Sequence, residues 1–336
     1  MIKGFWGKLK KPFFVLAPMH EVSDSAFRKI VIHCGRPDVV FAEFVSVDAL
    51  CNLESRKKIT EFFLRFDKET EHPIVAQLWG SDPEKFEKAA LYIKSLGFDG
   101  IDINMGCPSK NVVNQGGGAD LIQNPQLAVK IIEATKKGAG KLPVSVKTRI
   151  GYNKIDTEKW IKTLIKGKPD VITIHGRTRK EMSKVPAHWD EIGKSAKILN
   201  KAGIMVIGNG DIKSLDEAGK KARQYKLDGV MIGRAVLGNP WFFNSRAKYE
   251  DISAEEKLRI LIKHARLFEQ EFKNIKKFFR FRKMIAGYIS GFEGARELRN
   301  KLMQTKNASE VEVIIKRWNM PIRHASQGKA GKECRI

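Results

Sequence analysis

The most chemically pointed residue of this chain is a cysteine set between glycine and proline in the segment NMGCPSK. Cys107 falls on a loop, followed by Lys110, where a thiol can serve as nucleophile or as proton donor. Other reactive side chain types recur at the ends of short apolar runs. Those runs close on Ala17-Pro18-Met19, Glu43, Gln77, Asn104, Lys147, His175, Asn209-Gly210-Asp211 and Gly233-Arg234. Polar groups delivered at successive run ends point to one ligand approached from many sides. Lys147 at a buried strand end suits stabilisation of a developing anion or a Schiff base, with a salt bridge to Glu43 as the plain structural alternative. His175, beside Arg177 in IHGRTR, suits a positively charged, ligand-facing loop, with a satisfied core histidine as the alternative. The segments IGNGDI and IGRAVLGNP are rich in glycine, which lets backbone N–H groups approach an anion, and they predict a bound phosphate group.

The elements that would carry these residues are legible from periodicity. The runs FFVLA (13–17), DVVFAEF (38–44), PIVAQLW (73–79), GIDIN (100–104), PVSVK (143–147), DVITIH (170–175), IMVIG (204–208) and GVMIG (229–233) read as eight strands. Amphipathic stretches lie between them, such as 82–97 and 124–138, with Asp82 or Asn124 at the N-cap and glycine just past the end. This alternation predicts an α/β chain whose first part, 1–245, is a (β/α)8 TIM barrel with its chemistry at the C-terminal strand ends. A doubly wound open sheet is the alternative. From Ser253 onward no β-rich run remains and the apolar spacing is helical, predicting a C-terminal α-helical domain over 253–325 and an unstructured tail over 326–336.

The chain has 336 residues, with 62 Lys and Arg against 38 Asp and Glu, a net charge of +24. Such an excess predicts a polyanionic partner, nucleic acid before an anionic membrane surface. Residues 253–336 hold 20 Lys and Arg against 9 Asp and Glu. Within them KNIKKFFRFRKM interleaves Lys276, Lys277 and Arg280 with Phe278, Phe279 and Phe281, a pattern suited to phosphate contacts beside stacking surfaces, or to a packed aromatic core under a solvated basic face. The longest apolar runs are too short to span a bilayer. The four cysteines, Cys34, Cys51, Cys107 and Cys334, show neither disulfide nor metal-binding spacing, so no metal and a reducing cytoplasm are expected.

Read together, LAPMHEVSDSAFR, VAQLWGSDP, GIDINMGCPSKNVVNQGGGADLIQNP, VSVKTRIGY, ITIHGRTR, VIGNGDI and GVMIGRAVLGNPW resemble the tRNA-dihydrouridine synthases, in the family's order across the whole barrel. The resemblance implies FMN across the barrel mouth, contacted by Ala17, Pro18, Met19 and Gln77. Lys147 and His175 would lie at the isoalloxazine, and Asn209, Gly210, Asp211, Gly233 and Arg234 at the phosphate end. It implies NADPH as reductant and tRNA as substrate: hydride passes to C6 of a flipped-out uracil and Cys107 protonates C5. Asn104 and Arg177 become candidates for contacting the uracil or a nearby phosphate, and Lys276, Lys277 and Arg280 for holding the tRNA. The first loop departs from the family pattern at His20 and Ser23. A monomer is expected, without membrane attachment. Rival readings are a flavin barrel acting on a free pyrimidine or small enone, a Schiff-base lyase, and a non-enzymatic RNA-binding protein.

Overall fold

The computed structural model describes residues 4–329, with side chains described as far as Trp318. The strands are β1 Phe13–Leu16, β2 Val39–Phe41, β3 Val45–Ser46, β4 Ile74–Trp79, β5 Gly100–Met105, β6 Val144–Arg149, β7 Val171–His175, β8 Met205–Asn209 and β9 Gly229–Ile232. All neighbours pair in parallel, and the β2–β4 pairing closes the sheet on itself. The result is the expected eight-stranded barrel, with one addition. The second strand breaks after Phe41 and resumes as β3, which pairs Val45 with Leu78. The break coincides with Glu43, whose carboxylate is drawn into the first loop.

Alternation along the strands separates two environments, as the period of two requires. Phe13, Val15, Val39, Phe41, Val75, Val171, Met205 and Met231 fill the barrel interior, and Trp6 packs against Phe13 and Phe41 from below. Ile101, Ile103, Val146 and Ile174 belong to the outer layer against the helices. One or two pleats further along, inward positions become polar: Gln77, Asn104, Lys147 and His175. An apolar plug below and polar groups above define which end of the barrel performs chemistry.

The barrel helices are α1 Ser25–Cys34, α2 Val47–Cys51, α3 Leu53–Phe63, α4 Pro83–Leu96, α5 Lys110–Val113, α6 Pro125–Ala139, α7 Thr157–Lys166, α8 Trp189–Lys201 and α9 Leu215–Tyr225. Asp82 caps α4 by accepting from the Glu84 and Lys85 N–H groups, and Gly97 ends it in the left-handed conformation at φ 89°. The end of α6 departs from expectation. Asn124 makes no side-chain cap bond, and Gly138 lies inside the helix, where a Cβ would collide with the Glu87 carbonyl of α4.

After a short connection come α10 Ala254–Phe272, α11 Arg282–Tyr288, α12 Ala295–Leu302 and α13 Ala308–Lys329. Ser253 caps α10 through the Glu256 N–H, at the start expected for the helical part. Because α13 continues to Lys329, the proposed tail from 326 begins helical; residues 330–336, with Cys334, lie outside the described residues. Among the described residues no helix is long and apolar enough to cross a membrane.

Candidate active site

At the C-terminal ends of the strands a cavity of about 700 Å³ opens. Ala17, Pro18 and Met19 form one wall, Lys147 and His175 another, and Asn209, Gly210, Asp211, Gly233 and Arg234 a third. Ten of the eleven residues expected to bind the cofactor therefore converge on one space. Gly233 leaves that space open: a Cβ would meet only Ala17 and Met19, at 3.6 and 3.7 Å. Ser23, one of the two departures in the first loop, fixes Met19 by accepting from its N–H at 2.8 Å and donating to its carbonyl at 3.1 Å. His20, the other, stacks against Phe44 and Phe63, with centroids at 5.0 and 5.5 Å. Burial there lowers its pKa, so it is a neutral packing residue beside the site.

The electrostatics of the cavity are one-sided. Lys147, Arg149, Arg177, Lys213 and Arg234 line it, against the single carboxylate of Asp211. Lys147 has no hydrogen-bond or ion-pair partner among the described residues, and Glu43, the partner considered for it, is paired with Lys276. Burial, and then repulsion from Arg149, push its ammonium down to about 8. An unpaired, half-buried cation facing a cavity calls for an anionic ligand group. His175 is held well below its ordinary value by burial and by the cations around it. Neutral, it accepts from Arg177 Nη1 at its Nε2 (3.1 Å), so Nδ1 carries the proton.

Cys107 stands beside this cavity, whose wall includes its neighbour Pro108. Its loop is tied down from three directions. Asn104 Oδ1 accepts from the N–H groups of Gly106 (3.1 Å) and Cys107 (2.8 Å), Arg149 Nε donates to the Gly106 carbonyl (2.7 Å), and the Cys107 carbonyl accepts from the Ala119 N–H (3.0 Å). Burial raises the thiol pKa, so at neutral pH Cys107 holds its proton. That suits a proton donor and disfavours a thiolate nucleophile. Arg149 is a residue the sequence reading passed over. It lies two positions after Lys147 on the same face of β6, and that spacing was the available signal.

Several expected ligand contacts are employed otherwise. Gln77 is fully buried, donating to Asp102 and accepting from Asn104, and is not part of the cavity wall. Asn104, expected to meet a uracil, is 6% exposed and spends its carbonyl on the Cys107 loop. Arg177 lines the cavity but is committed to Asp211 and to the Val185 carbonyl at 2.6 Å, so it braces the site's wall. Asp211 also pairs with Arg234 at 3.1 Å, which makes it the organiser of two arginines.

The largest correction concerns Lys276, expected on an RNA-binding surface. Its side chain is 3% exposed, and its ammonium sits 3.3 Å from both Asp24 and Glu43, over the rings of Phe272 and Phe62 at 4.2 and 4.6 Å. It enters the barrel's first loop from the helical part and neutralises two buried carboxylates, a place no hydrated surface cation could occupy. Glu43 also accepts from the Glu21 N–H. Arg280 pairs with Glu21, which places it in the same seam. Lys277 remains exposed and makes no ion pair among the described residues. Of the three phenylalanines nearby, Phe281 is buried, Phe278 half-buried, and Phe279 is 55% exposed.

The chain matches the family of dihydrouridine synthases over residues 15–321. It is 42% identical over 325 residues to the probable tRNA-dihydrouridine synthase 2 of Bacillus subtilis, covering 94% of this chain and 96% of that protein. To the probable tRNA-dihydrouridine synthase of Staphylococcus aureus (strain Mu50) it is 41% identical, covering 94% and 95%. Among solved structures it is similar to a 2-naphthoyl-CoA reductase (TM-score 0.53, 12% identity, 71% of this chain and 50% of that one). It is also similar to histamine dehydrogenase from a Rhizobium species (TM-score 0.51, 14% identity, 82% and 48%). The chain spans about half the length of these two structures, and the likeness is one of fold.

Proposed function

The chain belongs to the dihydrouridine synthase family, and from that premise we propose that it reduces a uridine of tRNA to 5,6-dihydrouridine at the barrel mouth, in the cytoplasm. The observation that carries this reading is the partnerless Lys147 ammonium in a strongly cationic cavity beside a protonated cysteine. These residues fit a flavin mononucleotide. Its phosphate end suits Arg234, Gly233 and the backbone of Gly210, where side chains are absent or cationic. Its pyrimidine edge suits Lys147, since a cation there favours the anionic reduced ring. When bound, FMN supplies the hydride that adds to C6 of the uracil, with NADPH as its source.

The protein's own contribution to the chemistry is the proton. Cys107 gives its thiol proton to C5 as the hydride arrives at C6, so the C5–C6 double bond becomes two C–H bonds and the thiolate is left to regain a proton. Lys147 and Arg149 lie near enough to favour that thiolate electrostatically. A uracil reaches such a site only by leaving the stack, and the exposed cations of the helical part supply a surface to hold the RNA while it does. A free pyrimidine would need no such surface.

The test is spectroscopic and then chemical. The purified protein should show a flavin absorption band that bleaches with NADPH under anaerobic conditions, and it should form dihydrouridine in unmodified tRNA, read by mass spectrometry of nucleosides. A colourless protein that cannot be reconstituted with FMN would end the reading. A second expectation separates surface from seam. Reversing the exposed Lys273 and Lys277 to Glu is expected to weaken tRNA binding and to reduce the slope of log affinity against log salt by about 1.5, while NADPH oxidation is unchanged. An unchanged slope would move the RNA surface elsewhere.

A further inference from the structure

Below the Cys107 loop runs a chain of buried side chains in which every hydrogen bond has a direction. Ser145 Oγ donates to Asp102 Oδ1 (2.5 Å), and Gln77 Nε2 donates to Asp102 Oδ2 (2.7 Å). Asn104 Nδ2 donates to Gln77 Oε1 (2.9 Å), which leaves Asn104 Oδ1 to accept from the Gly106 and Cys107 N–H groups. Asp102 and Gln77 are fully buried and Asn104 nearly so. The register of β4 and β5 sets Gln77 directly opposite Asp102.

A carboxylate can only accept, whereas an amide has a donor end and an acceptor end. Facing Asp102, Gln77 must turn its NH2 group toward the carboxylate and its carbonyl toward Asn104. Asn104 must then turn its own NH2 group toward Gln77, and its carbonyl is left for the loop. Reversing either amide would set donor against donor, or acceptor against acceptor, at buried positions where such a conflict is costly. We propose that Asp102 is a positioning residue for the proton transfer: its carboxylate fixes the orientations of Gln77 and Asn104, and through them the backbone that carries Cys107. Only the consequence for catalysis rests on Cys107 being the acid; the orienting role does not.

Ionisation is the condition of this device. Burial pushes Asp102 up to about 6, opposed by the hydrogen bonds from Ser145 and Gln77 and by Lys147, the charged side chain that faces it from β6; from β4 it faces the uncharged Gln77. Above that pH the carboxylate is acceptor only and the chain is locked. Below it, a protonated Asp102 can donate to Gln77 and permit the opposite orientation.

Amide hydrogen exchange of the purified protein, read by mass spectrometry on peptides spanning 103–110, tests this without reference to flavin or tRNA. In Asp102→Asn, Ser145 can still donate to the side-chain oxygen, which leaves NH2 facing Gln77 and reverses the chain. Protection at Gly106 and Cys107 is expected to fall about tenfold, with β7 and β8 unchanged. Asp102→Asn combined with Gln77→Glu should restore most of it, because a carboxylate at 77 accepts from both neighbours. Wild-type protection in Asp102→Asn would overturn the proposal. Should that variant not fold, the native protein decides: protection corrected for intrinsic rate is expected to decline on acidification through about pH 6, and a flat profile overturns the role. If exchange behaves as expected while Cys107→Ala keeps full activity, the assignment of the acid fails and the orienting role stands.

Discussion

Cys107→Ala is expected to retain its flavin and to oxidise NADPH at an unchanged rate, yet to form dihydrouridine about 10²–10⁴ times more slowly, the range that a positioned acid contributes. Lys147, His175 and the glycine-rich third wall lie on the cavity, whereas Cys107 is held beside it by Asn104, Arg149 and Ala119. Removing the sulfur breaks no hydrogen bond to the cavity's cations, although Lys147 and Arg149 feel it electrostatically. Cys107→Ser separates two explanations of a loss, because a hydroxyl occupies the same place but is a far weaker acid. Rates on unmodified tRNA, measured beside NADPH oxidation, check this. Turnover within a few-fold of wild type in Cys107→Ala would assign the proton to another group.

Lys276→Met is expected to cost about 3–5 kcal/mol of stability, because it leaves two buried carboxylates without their counter-charge. Lys277→Met, one residue away and exposed, should stay within about 0.5 kcal/mol of wild type. The deficit also has a sign with pH. Burial already holds Glu43 above its ordinary 4.5, and Asp24 adds to the shift while Lys276 opposes it. Without Lys276 the shift grows, so the folded state takes up a proton that the unfolded chain has released. That contribution is fully present below pH 4.5 and is lost as pH rises toward and past neutrality. Thermal unfolding of both variants at pH 5.5 and pH 8 should therefore show the larger gap between them at pH 8. Equal gaps would mean that Glu43 does not titrate in the seam.

These two residues mark the boundary of what the sequence makes legible. The barrel declares itself because β-branched runs and amphipathic stretches alternate with the periods of strand and helix, and because inward positions change from Val75 to Gln77 and from Val171 to His175 toward one end. Strand-end residues follow from that alternation, so most of the cavity wall could be read directly. Lys276 could not, since it looks like Lys273 and Lys277 in type and neighbourhood. Its partners lie 252 and 233 residues away, and only the packed fold distinguishes it. Asn104 and Arg177 show a related limit: a polar side chain at a ligand-facing end can also be engaged by the protein's own backbone, as both are, while Arg177 still lines the cavity. The two-residue β3 is below the length at which a periodic signal exists.

The seam at Lys276 also bears on how such proteins can be recombined. The helical part carries much of the basic charge, and exchanging it between relatives is a natural recombination to attempt. A transplanted helical part brings its own residue into the pocket formed by Asp24 and Glu43, and with it the support of the loop that carries Met19. The unit of exchange is therefore the helical part together with that first loop, and a cut made at the end of the barrel would divide one charge cluster between two parents.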